Sequence, residues 1–132
     1  MRADSSGRRV TMSKAKGWFF DGERRANSRV PLRAPALLDS MAAYQAARCL
    51  DVSAGGVLVR ADQPLPVGTR LELYFELPPG IPVETEAVVV WAEGRELGLR
   101  FLELDPATRA ALVAYCELSG IRRIVLQQPA VT

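Results

Sequence analysis

Between residues 71 and 77 the chain alternates without a break: Leu71, Leu73, Phe75 and Leu77 are apolar, while Glu72, Tyr74 and Glu76 separate them. Successive side chains of an extended strand point to opposite faces, so a period of two fits a strand with one buried face. A helix, with its period of about 3.6 residues, would scatter those four apolar groups around its circumference. The same pattern recurs in residues 83–91, where Val83, Thr85, Ala87, Val89 and Trp91 are expected on one face, and again where Leu97, Leu99 and Phe101 alternate with Glu96, Gly98 and Arg100. Residues 32–38, 44–50 and 56–60 complete the set.

Residues suited to turns separate these runs. Ser53-Ala54-Gly55-Gly56, the stretch from Pro64 to Gly68, Pro78-Pro79-Gly80 and Glu93-Gly94-Arg95 each offer positive or fixed φ. Six short strands with little helix between them imply antiparallel pairing, and short strands leave exposed edges unless the sheet closes. The expected fold is therefore all-β, a six-stranded antiparallel barrel. One helix follows it: Asp105 as N-cap, Pro106 at the first helical position, then residues 107–118, with an end near Gly120. Leu112, Tyr115, Cys116 and Ser119 share a face of that helix, which is too short to be stable alone and should pack on the barrel. Residues 121–126 are apolar but interrupted by Arg122-Arg123, and the pattern selects neither strand nor helix there.

The 132 residues contain no histidine. This removes the commonest general base, the usual triad partner and the commonest zinc ligand together. Glu84, Glu86 and Glu103 form no recognisable catalytic pair, and no glycine-rich phosphate loop leads into a helix. Cys49 and Cys116 lie far apart in no C-x-x-C arrangement and read as reduced, packed thiols. These features exclude most enzyme classes and any metal centre of usual spacing. The opening residues lack an apolar export segment, and no apolar run approaches bilayer length, so a cytoplasmic protein with no membrane span is expected.

Charge divides the chain. Residues 1–29 carry a net charge of +5 and the remainder −3. Residues 1–22 read as a basic arm with an aromatic cluster, Trp18-Phe19-Phe20, residues 23–118 as the domain, and residues 119–132 as a C-terminal extension. The arm is expected to meet an anion, to lie back on its own acidic body or, over residues 1–17, to form a flexible, solvated tail. Nucleic acid is the disfavoured partner, because the barrel body is acidic and shows few exposed aromatics for base stacking.

Two elements combine just before and within the barrel: Arg25-Ala26-Asn27-Ser28-Arg29, an R-x-x-x-R spacing, and Asp51-Val52-Ser53-Ala54-Gly55-Gly56, a D-x-S-x-x-G turn. In this order they resemble the paired motif of the PilZ domain family. Val89-Val90-Trp91 leading to Gly98-Leu99-Arg100-Phe101 resembles that family's last two strands, and the terminal helix falls where the family has one. The resemblance covers residues 23–118 and implies a PilZ-type barrel that binds cyclic di-GMP without catalysis. It implies that Arg25 and Arg29 contact phosphate and guanine, that Asp51 and Ser53 contact the guanine edge or ribose-phosphate, and that Gly56 shapes the turn. Arg24, just ahead of the motif, implies a ligand bound as an intercalated dimer.

The residue types suit such a ligand on their own chemistry. A guanidinium fork pairs with phosphate or with guanine O6 and N7, and it stacks on purines. A carboxylate accepts from guanine N1 and N2, a serine both donates and accepts, and Gly55 and Gly56 are expected to admit close approach and positive φ. Residues 23–30 hold much charge and little apolar matter, so ligand phosphates are expected to draw a mobile segment onto the barrel. The competing expectation is a PilZ-like adaptor that binds no nucleotide. In either case an unidentified protein partner is expected to receive the signal.

Overall fold

The computed structural model describes residues 29–41 and 43–127, with side chains as far as Ser119. Six strands appear in chain order: β1 (Val30–Ser40), β2 (Tyr44–Val52), β3 (Gly56–Ala61), β4 (Arg70–Leu77), β5 (Ile81–Glu93) and β6 (Glu96–Phe101). One helix, α1 (Pro106–Gln127), follows them. The strands close in the order β1-β2-β3-β6-β5-β4, every pair antiparallel. Because β1 pairs with both β2 and β4, no strand of the barrel presents a free edge to another chain.

The alternation of β4 is realised as read. Leu71, Leu73, Phe75 and Leu77 are buried, while Glu72 and Glu76 are exposed. These side chains meet Leu38, Val59, Val83, Leu97 and Leu99 in one continuous core. Phe75 stacks on Phe101 with ring centroids 6.3 Å apart. Thr85, the polar member of the inward face of β5, is satisfied by donating to the Glu103 carbonyl at 2.9 Å, which ties the exit of the barrel to its wall. Positive φ occurs where three of the expected turns required it, at Gly68, Gly80 and Gly94. At Gly94 the need is most direct: a two-residue connection between β5 and β6 leaves no other way to reverse the chain.

Two expectations are corrected. Trp91 does not share the face of Val83, Thr85, Ala87 and Val89, because the β5–β6 register shifts between Val89 and Trp91. One extra residue at that bulge turns Trp91 to lie opposite Gly98 and places Ala92 beside Leu97 and against the core. The helix does not end near Gly120 but continues to Gln127. A glycine inside a helix costs about 1 kcal/mol relative to alanine, which neighbouring leucine, isoleucine and arginine offset where no proline intervenes. Residues 121–126, left open by the sequence pattern, are therefore helical.

The start of α1 follows the sequence closely. Asp105 caps it by accepting from the Thr108 N–H at 2.7 Å, and that bond chiefly holds the Asp105 carboxyl below its usual range. Leu112 and Cys116 face inward and join the core, with Ala111 and Tyr115 packed at its margin. The Cys116 thiol donates to the Val52 carbonyl at 3.7 Å, so α1 rests against the finish of β2. Both cysteines are free and buried, and burial raises Cys49 to about 12 and Cys116 to about 11.

Candidate ligand-binding site

The turn between β2 and β3 is built around one serine. Ser53 is fully buried, and its N–H donates to the Gly56 carbonyl at 2.9 Å. Its hydroxyl accepts from the Gly55 N–H at 3.1 Å and from the Gly56 N–H at 3.2 Å. The Gly55 carbonyl in turn accepts from the Phe101 N–H at 3.0 Å, which fastens the corner to β6. A side-chain oxygen thus does what a backbone carbonyl would do in a simpler turn. The expectation of positive φ at Gly55 and Gly56 is corrected: among the described glycines it occurs at Gly68, Gly80 and Gly94. The serine hydroxyl closes the corner, so the glycines need not leave ordinary backbone space. Their missing side chains leave the corner low.

Replacement of Ser53 by alanine leaves two part-buried or buried N–H donors without this acceptor. Such a loss costs about 1–3 kcal/mol. The S53A variant should therefore unfold at a lower urea concentration, with an unchanged dependence on denaturant. A midpoint equal to that of the parent protein would show that the hydroxyl does not hold the corner.

The β1–β2 register brings the two halves of the sequence motif together. Val30 pairs with Val52 and Pro31 with Asp51. Continued by one residue, that register sets Arg29 beside Ser53. Arg29 is half-buried, and Asp51, also half-buried, lies between Pro31 on one side and Leu58 on the other. A register shift in β2 between Cys49 and Asp51 re-aims the strand just before the corner. Gly56 pairs with Arg100 of β6, whose side chain is exposed on the outer face. Arg100 is a further cation at this edge. Its strand alternation was legible in the sequence, but its nearness to Gly56 required the β3–β6 pairing.

Arg29, Asp51, Ser53 and Gly56 are thus gathered at one end of the barrel. Arg24 and Arg25 lie outside the described residues, as does the arm with Trp18-Phe19-Phe20. Among the described residues, no group of three or more metal-ligating side chains could hold an ion, and no helix is long and apolar enough to cross a membrane.

A closed antiparallel barrel with one helix packed on it thus carries Arg29 next to the corner formed by Asp51, Ser53 and Gly56. The profile of the PilZ domain family matches residues 23–118, and the chain belongs to that family. The family consists of non-catalytic effector modules associated with cyclic di-GMP signalling.

Among solved structures, the chain is similar to the Bacillus subtilis inhibitor of motility MotI/DgrA, with 26% identity and a TM-score of 0.65 over 80% of this chain. It spans about half of that protein, 54% of its length. It is also similar to the PilZ domain of Escherichia coli YcgR, solved with cyclic di-GMP, at 15% identity and a TM-score of 0.61, covering 80% of this chain and 99% of that one. The PilZ domain of CeSA from a cellulose-synthesizing bacterium gives 15% identity and a TM-score of 0.54, covering 71% and 97%. The last two likenesses show the fold alone. No curated protein matches the chain.

Proposed function

We propose that the protein is a receptor for cyclic di-GMP, held between the arginine segment Arg24, Arg25 and Arg29 and the corner formed by Asp51, Ser53 and Gly56. The observation that carries this reading is the β1–β2 register, which sets the last arginine of the R-x-x-x-R motif beside the D-x-S-x-x-G corner. Family membership supports it, as does the cyclic di-GMP bound in the YcgR domain of the same fold.

In this proposal the guanidinium groups take phosphate oxygens and the Hoogsteen edge of guanine, where charge-assisted pairs are strongest. Asp51 accepts from the Watson–Crick edge. Ser53 is already committed to Gly55 and Gly56, so its contribution runs through the shape of the corner and the low backbone it maintains. Arg24 supports a second, intercalated ligand molecule. Closure of residues 23–29 onto the barrel rim changes the surface offered to a protein partner, and that change is the output signal.

Thermal unfolding with and without cyclic di-GMP tests the reading. A ligand at one hundred times its Kd stabilises the native state by about 2.7 kcal/mol, enough to raise the midpoint by several degrees. No rise at saturating cyclic di-GMP, in a chain that still melts cooperatively, would instead favour the adaptor without nucleotide.

A further inference from the structure

The outer face of β1 and its two neighbours carries a pattern of charge and size that complements itself under a two-fold rotation. Leu37 lies between Tyr74 of β4 and Ala46 of β2. Pro35 lies beside Arg48 of β2, and the β1–β4 register, continued from Ala36 opposite Phe75, sets Glu76 on its other side. Asp39 lies between Glu72 of β4 and Tyr44 of β2. The β4 flank thus carries Glu72, Tyr74 and Glu76, and the β2 flank Tyr44, Ala46 and Arg48.

The relief of this face is low in the middle. A groove of about 410 Å³ crosses it, floored by Pro35, Leu37, Ala46 and Ala47 and edged by Tyr74 and Glu76. Ala46 and Ala47 also line a second hollow of about 300 Å³, beyond which stand Arg48, Arg60 and Arg95. Leu37 and Tyr44 are exposed large apolar residues at 38% and 66%. Small side chains at the centre allow two sheets to approach to about 10 Å.

We infer that the protein forms a two-fold dimer through this face. An axis running along β1, between two copies, exchanges β4 of one copy with β2 of the other. Glu76 of each copy then meets Arg48 of the other, the Tyr74 ring covers Ala46, and Glu72 reaches the Tyr44 hydroxyl. Pro35 and Leu37 meet their own counterparts on the axis, as an isologous interface requires. Glu76 already accepts from the Tyr74 hydroxyl at 2.7 Å, which fixes its carboxylate and leaves a second oxygen for the arginine. Arg33 and Asp39, exposed towards the two ends of the same face of β1, also meet their own counterparts as like-charge contacts, set against two Glu76–Arg48 pairs. Asp62 stands among Arg48, Arg60 and Arg95, and Arg60 pairs with Glu96 at 3.5 Å, so the positive charge of the β2 flank rests on Arg48 and Arg95.

The face is separate from the proposed nucleotide corner. Arg48 precedes Asp51 on β2 by three residues, about 10 Å of extended chain. Sedimentation equilibrium of the full chain from micromolar to near-millimolar concentration tests the dimer. Arg48→Glu should raise its Kd by about tenfold or more, since symmetry converts two attractive pairs into two repulsive ones. Glu76→Arg should do the same, and the double exchange R48E/E76R should restore association to near the parent value. Cooperative melting of each variant, and an unchanged shift of its midpoint by cyclic di-GMP, keep folding and the nucleotide site out of the comparison. A parent protein that stays monomeric throughout would overturn the inference, leaving the groove to another segment or protein. A dimer indifferent to both single exchanges, or one the double exchange fails to restore, would overturn it equally.

Discussion

Arg29→Ala should weaken cyclic di-GMP binding by about tenfold to a hundredfold or more, while leaving the barrel folded. A hydrogen bond to a charged group contributes about 1.5–3 kcal/mol, and each 1.4 kcal/mol is a factor of ten. Arg29 immediately precedes β1 with its side chain half-buried, so removing the guanidinium takes away a group at the edge of the corner while the strand keeps its partners. Arg25→Ala should have an effect of the same size. Fluorescence anisotropy with a labelled nucleotide measures both, and far-ultraviolet circular dichroism checks that the sheet survives. An unchanged Kd in either variant would remove that arginine from the site.

The largest effect on stability is expected at Phe75. Its ring is wholly buried at the centre of the barrel and stacks on Phe101, with Leu73 and Leu77 in the same strand. Truncation to alanine removes the transfer free energy of the ring and leaves a cavity that a closed sheet cannot collapse to fill, a loss of about 3–5 kcal/mol. A whole domain is stable by only about 5–15 kcal/mol, so F75A should unfold at far lower urea. A loss below about 1 kcal/mol would show that the core repacks around the gap.

The corner and the core are mechanically continuous, which links these two results. Val52, immediately before Ser53, is buried in the core, and its carbonyl accepts from the Cys116 thiol of α1. Phe101, the stacking partner of Phe75, donates its N–H to Gly55. Loosening the core therefore loosens the platform on which the ligand is proposed to rest.

Much of the fold was legible in the residues. Strict alternation fixed the faces of β4 and β6, because a period of two has only one physical meaning in a short run. Asp105 followed by Pro106 located the start of α1, since both residues act through purely local geometry. What escaped was whatever depends on pairing between distant segments. The bulge after Val89 turned Trp91 away from its expected face, and nothing in Val88-Val89-Val90-Trp91 announces which residue a neighbouring strand will skip. Gly120 suggested a helix end on local grounds, yet the apolar and basic residues beyond it sustain the helix.

The candidate site divides in the same way. The residue types of Arg29, Asp51, Ser53 and Gly56 were readable, and so was the chemistry they suit. That Ser53 turns its hydroxyl inward to hold Gly55 and Gly56 was not, because the sequence does not say whether a turn serine faces solvent or its own backbone. The placing of Arg29 next to Ser53 follows from continuing the β1–β2 register one residue past Val30 and Val52, and that of Arg100 opposite Gly56 from the β3–β6 register.

Isothermal titration of the full chain with cyclic di-GMP measures most directly whether guanidinium groups and the acidic corner capture the nucleotide together. Saturable heat at micromolar nucleotide, with close to two ligand molecules per chain and none of that heat in the Arg25→Ala, Arg29→Ala double variant, is the expected result. Absence of heat in the parent protein at those concentrations, or equal heat from the double variant, would contradict it.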